Sequence, residues 1–225
     1  MKESAGVEYT IGGVSDLCLR LKIKLKTARP ANYKKDVAAV QAYKKNFGRL
    51  RAGYADEEIE FEDEMRVGTR TESGRKWTVF GERPVGRQKI GYQYLYLYVS
   101  IKPFTGELCA MFLPRLDKEC FTLFAEERSV CQSGRTLMVA DGATAHRLKD
   151  EKINLVKLPA YAPELNPVER FFEELRRELE FCVFETLDEA EVYLTEILAK
   201  YFKNPERVKS LTLYPYIKDA HLNLN

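Results

Sequence analysis

The 225 residues predict an α/β fold, a sheet flanked by helices, and three features carry that expectation. Residues 56–64 and 92–101 alternate in character with period two, as strands do. The short apolar run 137–140 has the length and flanks of a strand inside a sheet, and it stops at Asp141-Gly142. From Asn166 onward, Val168, Phe171, Phe172, Leu175 and Leu179 recur at helical spacing and mark a long amphipathic helix.

Taken in order, residues 14–21 set Val14, Leu17, Leu19 and Leu21 near helical spacing, with Ser15 or Asp16 available as a cap. In residues 22–26 Lys22, Lys24 and Lys26 alternate with Ile23 and Leu25, the pattern of a strand with one charged face. That face suits phosphates, and equally suits an edge strand protected by its lysines. Pro30 closes the unit, and residues 33–50 read as a basic amphipathic connecting helix. A second domain is expected from about residue 56 to 203, with a motif-free tail at 204–225.

Seven of the nine residues at 56–64 are acidic, yet parity argues for a strand. Ile59, Phe61 and Asp63 share one face, and Glu58, Glu60, Glu62 and Glu64 share the other, so Asp63 extends the inward apolar face. Desolvating a carboxylate is costly without a compensating cation, which makes an inward Asp at a strand end a candidate metal ligand. In 92–101 one face is tyrosine and one aliphatic, a pattern expected to pack beneath a helix or strand. Thr105-Gly106-Glu107 turns into a further strand ending at Pro114, residues 117–131 form a helix, and residues 153–158 another strand.

Thirty-six Lys and Arg nearly balance 34 Asp and Glu, but the charges are not evenly spread. Residues 1–55 carry 12 basic and 4 acidic side chains, which leaves 24 against 30 in the rest. A basic arm on a mildly acidic body fits a protein that meets a polyanion with one part and does chemistry with the other. Lacking an apolar run of about 20 residues or a secretory leader, the chain is expected to avoid membranes and stay in the cytoplasm. Five cysteines without a Cys-x-x-Cys pair suggest reduced, mostly buried thiols rather than disulfides or a zinc site.

Asp141 stands at the carboxyl end of its strand, the edge where open α/β sheets bind ligands, and Glu169 stands in the first turn of the helix after Asn166-Pro167. Glu169 also fits a capping box, with Glu173 one turn further on as the alternative ligand. Converging carboxylates raise one another's pKa unless cations neutralise them, and oxygen ligands suit Mg²⁺ or Mn²⁺. Such a trio makes a two-metal phosphoryl-transfer site. His146, five residues after Asp141, approaches the site or serves as a hydrogen-bonded structural histidine.

Four motifs carry a resemblance: Phe61-Glu-Asp-Glu-Met65, Gly74-Arg-Lys-Trp-Thr-Val-Phe-Gly-Glu-Arg-Pro84, Met138-Val-Ala-Asp-Gly-Ala-Thr-Ala-His-Arg147, and Leu158-Pro-Ala-Tyr-Ala-Pro-Glu-Leu-Asn-Pro-Val-Glu-Arg-Phe-Phe172. Together they resemble the DDE transposases of bacterial insertion sequences on the mariner-like branch. The resemblance implies an RNase H-like fold, with Asp63, Asp141 and Glu169 as the catalytic and metal-binding triad and two Mg²⁺ ions, replaceable by Mn²⁺, as cofactors. It implies cleavage of double-stranded DNA at element ends and strand transfer into a target by a homodimer. Residues 8–30 resemble only the last helix and the wing of a helix-turn-helix region, which implies either a companion polypeptide or a truncated copy. Gly142 stands where relatives often have Asn. Arg20, Lys22, Lys24, Lys26, Arg29, Lys34 and Lys35 are the expected phosphate contacts. The alternatives are an RNase H-like nuclease that cuts without joining and a non-catalytic DNA-binding protein.

Overall fold

The computed structural model describes residues 9–24, 32–130, 134–146, 148 and 150–222. The chain divides into a small unit ending at Tyr33 and a body beginning at Lys34. In the small unit, helix α1 (Ile11–Arg20) is capped by the Thr10 hydroxyl, which accepts from the Gly13 amide. No residue of α1 is buried, and Ile11, Leu19 and Leu21 are exposed. The basic strand expected after it does not begin within residues 21–24. There the chain turns, with Lys22 in the left-handed region at φ 56°. Lys26 and Arg29 lie outside the described residues, and among the described residues of this unit a single helix forms.

The body is built on a five-stranded mixed sheet of order β3-β2-β1-β4-β5. Its strands are β1 (Ile59–Gly68), β2 (Tyr94–Ile101), β3 (Leu108–Leu113), β4 (Thr136–Ala140) and β5 (Ile153–Lys157). β1 is central, antiparallel to β2 and parallel to β4, while β4 and β5 also run parallel. The β2–β3 turn depends on Gly106, whose φ is 76° and where a Cβ would stand 2.0 Å from the Pro205 carbonyl oxygen.

The odd residues of β1 and β2 (Phe61, Met65, Leu97, Val99) join the larger core, which five helices cover. These are α2 (Val37–Leu50), α4 (Pro167–Leu179), α5 (Leu187–Phe202), α6 (Pro205–Thr212) and α7 (Pro215–Leu222). The connecting helix expected over 33–50 forms at 37–50 and lays Val40, Tyr43 and Phe47 into this core, with Asp36 capping its start. Residues 204–222, expected as a tail, supply α6 and α7, and Val208, Thr212 and Ile217 are fully buried. Helix α3 (Lys118–Val130) covers the opposite face, packing Phe121 and Phe124 against Tyr98 and Met138. The tyrosine face of β2 thus goes under a helix at Tyr98, while Tyr92 and Tyr94 stay exposed.

Because α3 covers that second face, Glu60, Glu62 and Glu64, which parity groups together, do not point to solvent. Glu60 and Glu62 are fully buried. Arg128 of α3 answers Glu60 from 2.7 Å, so burying one charge brought in another. Of the four described cysteines only Cys120 is buried, fewer than expected. Among the described residues no helix is long and apolar enough to cross a membrane.

Candidate active site

Strand pairing sets the site. β1 and β4 match Ile59 with Leu137 and Phe61 with Val139, and Asp63 and Asp141 each follow the last match by two residues. Paired residues on parallel strands put their side chains on the same face. Beyond this point β1 continues with β2 alone while β4 ends, which opens a crevice at the carboxyl edge of the two strands.

Helix α4 starts over the same edge. The Asn166 side chain accepts from the Val168 amide at 3.1 Å and donates to the Glu62 carbonyl at 2.8 Å, pinning the helix N-terminus one residue before Asp63. Asn166 is therefore both the cap of the helix and a strut. The Tyr216 hydroxyl donates to the Leu165 carbonyl at 2.6 Å and steadies the same turn from α7. Replacing Asn166 with Ala removes a cap and orphans a buried carbonyl. Urea denaturation is expected to show a loss of about 1–3 kcal/mol, with Asn166→Ser, which keeps a capping oxygen, losing less.

Asp63, Asp141 and Glu169 all line one cavity of about 410 Å³, together with Gly142 and the 158–163 loop. Gly142 faces open space, so a larger residue there would meet no neighbour. Tyr161, in the left-handed region at φ 58°, forms part of the wall. Glu173 instead pairs with Arg170 on the exposed side of α4, and Glu169 has Arg176 3.9 Å away. Burial, with the charge of Glu169 next, pushes the Asp63 carboxyl up to about 8. Burial raises Glu169 as well, against the pull of Arg176. Asp141 goes the other way, held down chiefly by its hydrogen bond with His146 and also by the Ala143 amide.

His146 sits fully buried between the two acidic faces. Its Nδ1 lies 2.8 Å from Asp141 Oδ1, and its Nε2 lies 3.0 Å from Glu64 Oε1 and 3.7 Å from Glu62 Oε2. Burial pushes the imidazole down, but the bonds to Asp141 and Glu64 outweigh it and bring it up to about 11. Both roles weighed from the sequence meet here, since His146 touches a cavity acid and also ties the strands together. Residues 143–146 form a turn, closed by the His146 amide donating to the Ala143 carbonyl at 3.2 Å.

These shifts set the pH response of the metal-free chain. A group whose folded pKa lies above its unfolded value favours the folded state while protonated, and that stability is lost as pH rises toward the folded pKa. Asp63, from 3.8 to about 8, and His146, from 6.5 to about 11, act in the same direction, as does buried Glu62. In EDTA the unfolding midpoint is expected to fall steadily between about pH 5 and pH 9. Differential scanning fluorimetry with millimolar Mg²⁺ should show a shallower fall, because a bound cation replaces the protons.

The phosphate contacts expected from sequence fall in both units. Arg20, Lys22 and Lys24 are exposed in the small unit. In the body Lys34 is exposed and Lys35 pairs with Glu164. A further basic feature had shown only as a motif. The 25-residue stretch 69–93 between β1 and β2 holds six Lys and Arg against two Glu, and displays Trp77 and Phe80 fully to solvent. Lys89 anchors it to Glu185 at 2.5 Å.

The fold resembles solved transposase structures. A Mos1 mariner paired-end complex with Mn aligns over 97% of this chain and 72% of that one, with a TM-score of 0.67 at 15% identity. A Mos1 paired-end complex with the left transposon end gives 0.65 over 93% and 70%, at 14% identity. The Mos1 catalytic domain gives 0.55 over 87% and 98%, at 12% identity. The mixed sheet flanked by helices is thus the RNase H-like architecture of that catalytic domain. No curated protein matches the sequence. The family described as DDE superfamily endonuclease matches residues 58–190, more than half of the chain and all three cavity acids. This chain belongs to the DDE superfamily endonucleases.

Proposed function

We propose that this chain is a transposase that cuts double-stranded DNA at the ends of a mobile element and joins the freed 3′ ends to target DNA. One observation carries the proposal: three carboxylates from β1, the end of β4 and the start of α4 meet in a single open cavity. Asp63, Asp141 and Glu169 are the proposed catalytic residues and metal ligands. The donor set fits hard divalent ions, since all three offer oxygen and the raised pKa of Asp63 marks a carboxylate short of positive charge. Mg²⁺ is the proposed cofactor, with Mn²⁺ able to replace it. Bound there, such ions lower the pKa of water and offset charge at the phosphoryl group.

The protein's own residues do the positioning. His146 and the Ala143 amide fix one Asp141 oxygen, leaving the rest of the carboxylate toward the cavity. Asn166 holds the first turn of α4, and with it Glu169, against β1. Lys157, exposed at the end of β5, adds positive charge near Asp141 and suits a DNA phosphate. Arg20, Lys22, Lys24, Lys34 and Lys35, with Lys26 and Arg29, are proposed to grip the backbone of DNA. The aligned Mos1 structures include paired-end and strand-transfer complexes, and a homodimer bridging two DNA ends is proposed here by analogy. The exposed apolar residues of α1 suit a companion polypeptide.

The test is Mg²⁺-dependent nicking of duplex DNA from the sequence flanking the reading frame, comparing wild type with Asp141→Asn, followed by a joining assay with 3′-hydroxyl ends. Loss of nicking in Asp141→Asn and strand-transfer products with wild type are expected. Equal nicking by both proteins would remove Asp141 from the mechanism, and cutting without joining would make the chain a nuclease.

A further inference from the structure

A second group of metal-ligating side chains lies on the other face of β1. Glu62 and Glu64 alternate with Asp63, so they point away from the open cavity, toward α3 and His146. One oxygen from each glutamate and Nε2 of His146 all lie within 4.8 Å of one another. We propose that Glu62, Glu64 and His146 form a buried site for one divalent transition-metal ion, Zn²⁺ being the best fit, separate from the ions of the open cavity.

Three independent observations point to a ligand there. Neither carboxylate oxygen of Glu62 has a hydrogen-bond partner, although the residue is fully buried, so it has given up water without a donor in return. The imidazole is oriented as a ligating histidine is: Nδ1 is engaged by the Asp141 carboxylate at 2.8 Å and by its carbonyl at 3.2 Å, leaving Nε2 to face the glutamates. The spacing suits a small ion as well. Tetrahedral Zn²⁺ with ligands at about 2.1 Å separates neighbouring donors by about 3.4 Å, and the gaps from Nε2 are 3.0 Å to Glu64 and 3.7 Å to Glu62. One nitrogen and two carboxylates favour Zn²⁺ or Mn²⁺ over Mg²⁺. The competing occupant is a proton on Nε2, which would make the group an ion pair and nothing more. A metal there would lock His146 and, through it, Asp141, so the buried site would brace the catalytic one.

The experiment removes two of the three open-cavity ligands, keeping Asp141 because it holds His146, and asks what remains. The double variant Asp63→Asn/Glu169→Gln is dialysed against Zn²⁺, its metal content counted by mass spectrometry, and its zinc X-ray absorption recorded. One Zn²⁺ per chain with a histidine nitrogen in its coordination shell is expected, together with a higher unfolding midpoint in Zn²⁺. Adding either Glu62→Gln or His146→Gln should weaken binding at least tenfold. Circular dichroism checks each fold, and Glu62→Gln serves as the variant least apt to unfold, since it keeps the side chain's size and adds a donor to a buried group that has no hydrogen-bond partner. Absence of zinc from the double variant, zinc without a nitrogen ligand, or retention of the same affinity in folded Glu62→Gln would overturn the site. None of these readings depends on DNA cleavage, so the buried site and the transposase proposal stand or fall separately.

Discussion

Asn in place of Asp63 is expected to cut Mg²⁺-dependent nicking by on the order of a thousandfold, and in the same protein to raise the unfolding midpoint of the metal-free chain. Asp63 lines the cavity, and burial together with Glu169 lifts its carboxyl to about 8. Near neutral pH the metal-free chain therefore holds a proton there that the unfolded chain releases, at a cost to stability. Asn keeps the shape without the charge, and also cannot ligate a cation as an anion does. Activity and stability should move in opposite directions, read by nicking assays and by fluorimetry in EDTA at pH 8. If Asp63→Asn lost activity and stability together, Asp63 would be a structural residue and the strained-carboxylate account would be wrong.

Phe47→Ala is expected to destabilise the body by about 3–5 kcal/mol, the range for a buried aromatic cut to a methyl. At roughly 2–4 °C per kcal/mol for a chain of this size, the midpoint should drop by about 10 °C. Phe47 is fully buried, its ring 5.9 Å from Phe61 of β1 and 5.3 Å from Tyr216 of α7. Were α2 only a tether between a DNA-binding segment and the catalytic body, its loss of contact would leave the midpoint unchanged. Thermal melts of Phe47→Ala and of the exposed control Val37→Ala separate the two cases.

Much of the sheet was legible because its signals are local. The parity of 56–64, the apolar run before Asp141 and the stripe of Val168, Phe171, Phe172, Leu175 and Leu179 each need only neighbouring residues; β4 and α4 formed where expected, while the strand expected over 56–64 begins at Ile59, after a 3-10 turn at 56–58, and runs on to Gly68. The convergence of Asp63, Asp141 and Glu169 was reachable from strand faces and a helix start, although Asp63, expected at a strand end, lies mid-strand because β1 runs on to Gly68. What sequence could not show is what covers a face. Parity groups Glu60, Glu62 and Glu64 together, but their burial depends on Arg128 and His146, 68 and 82 residues away along the chain. The role of α2 was hidden likewise: its amphipathic stripe is visible, while its partner Tyr216 belongs to a segment without any motif. Residues 22–24 failed for a different reason, since alternating lysines are equally compatible with a turn once Lys22 takes a left-handed backbone.

The docking of α7 on α2 brings the two ends of the body together. A chain emerging from the ribosome exposes Tyr43 and Phe47 well before the residues that shelter them, Tyr216, Ile217 and Ala220, about 170 residues further along, are made. Chains that stop short of α7 should therefore bare an aromatic patch for chaperones and proteases to seize.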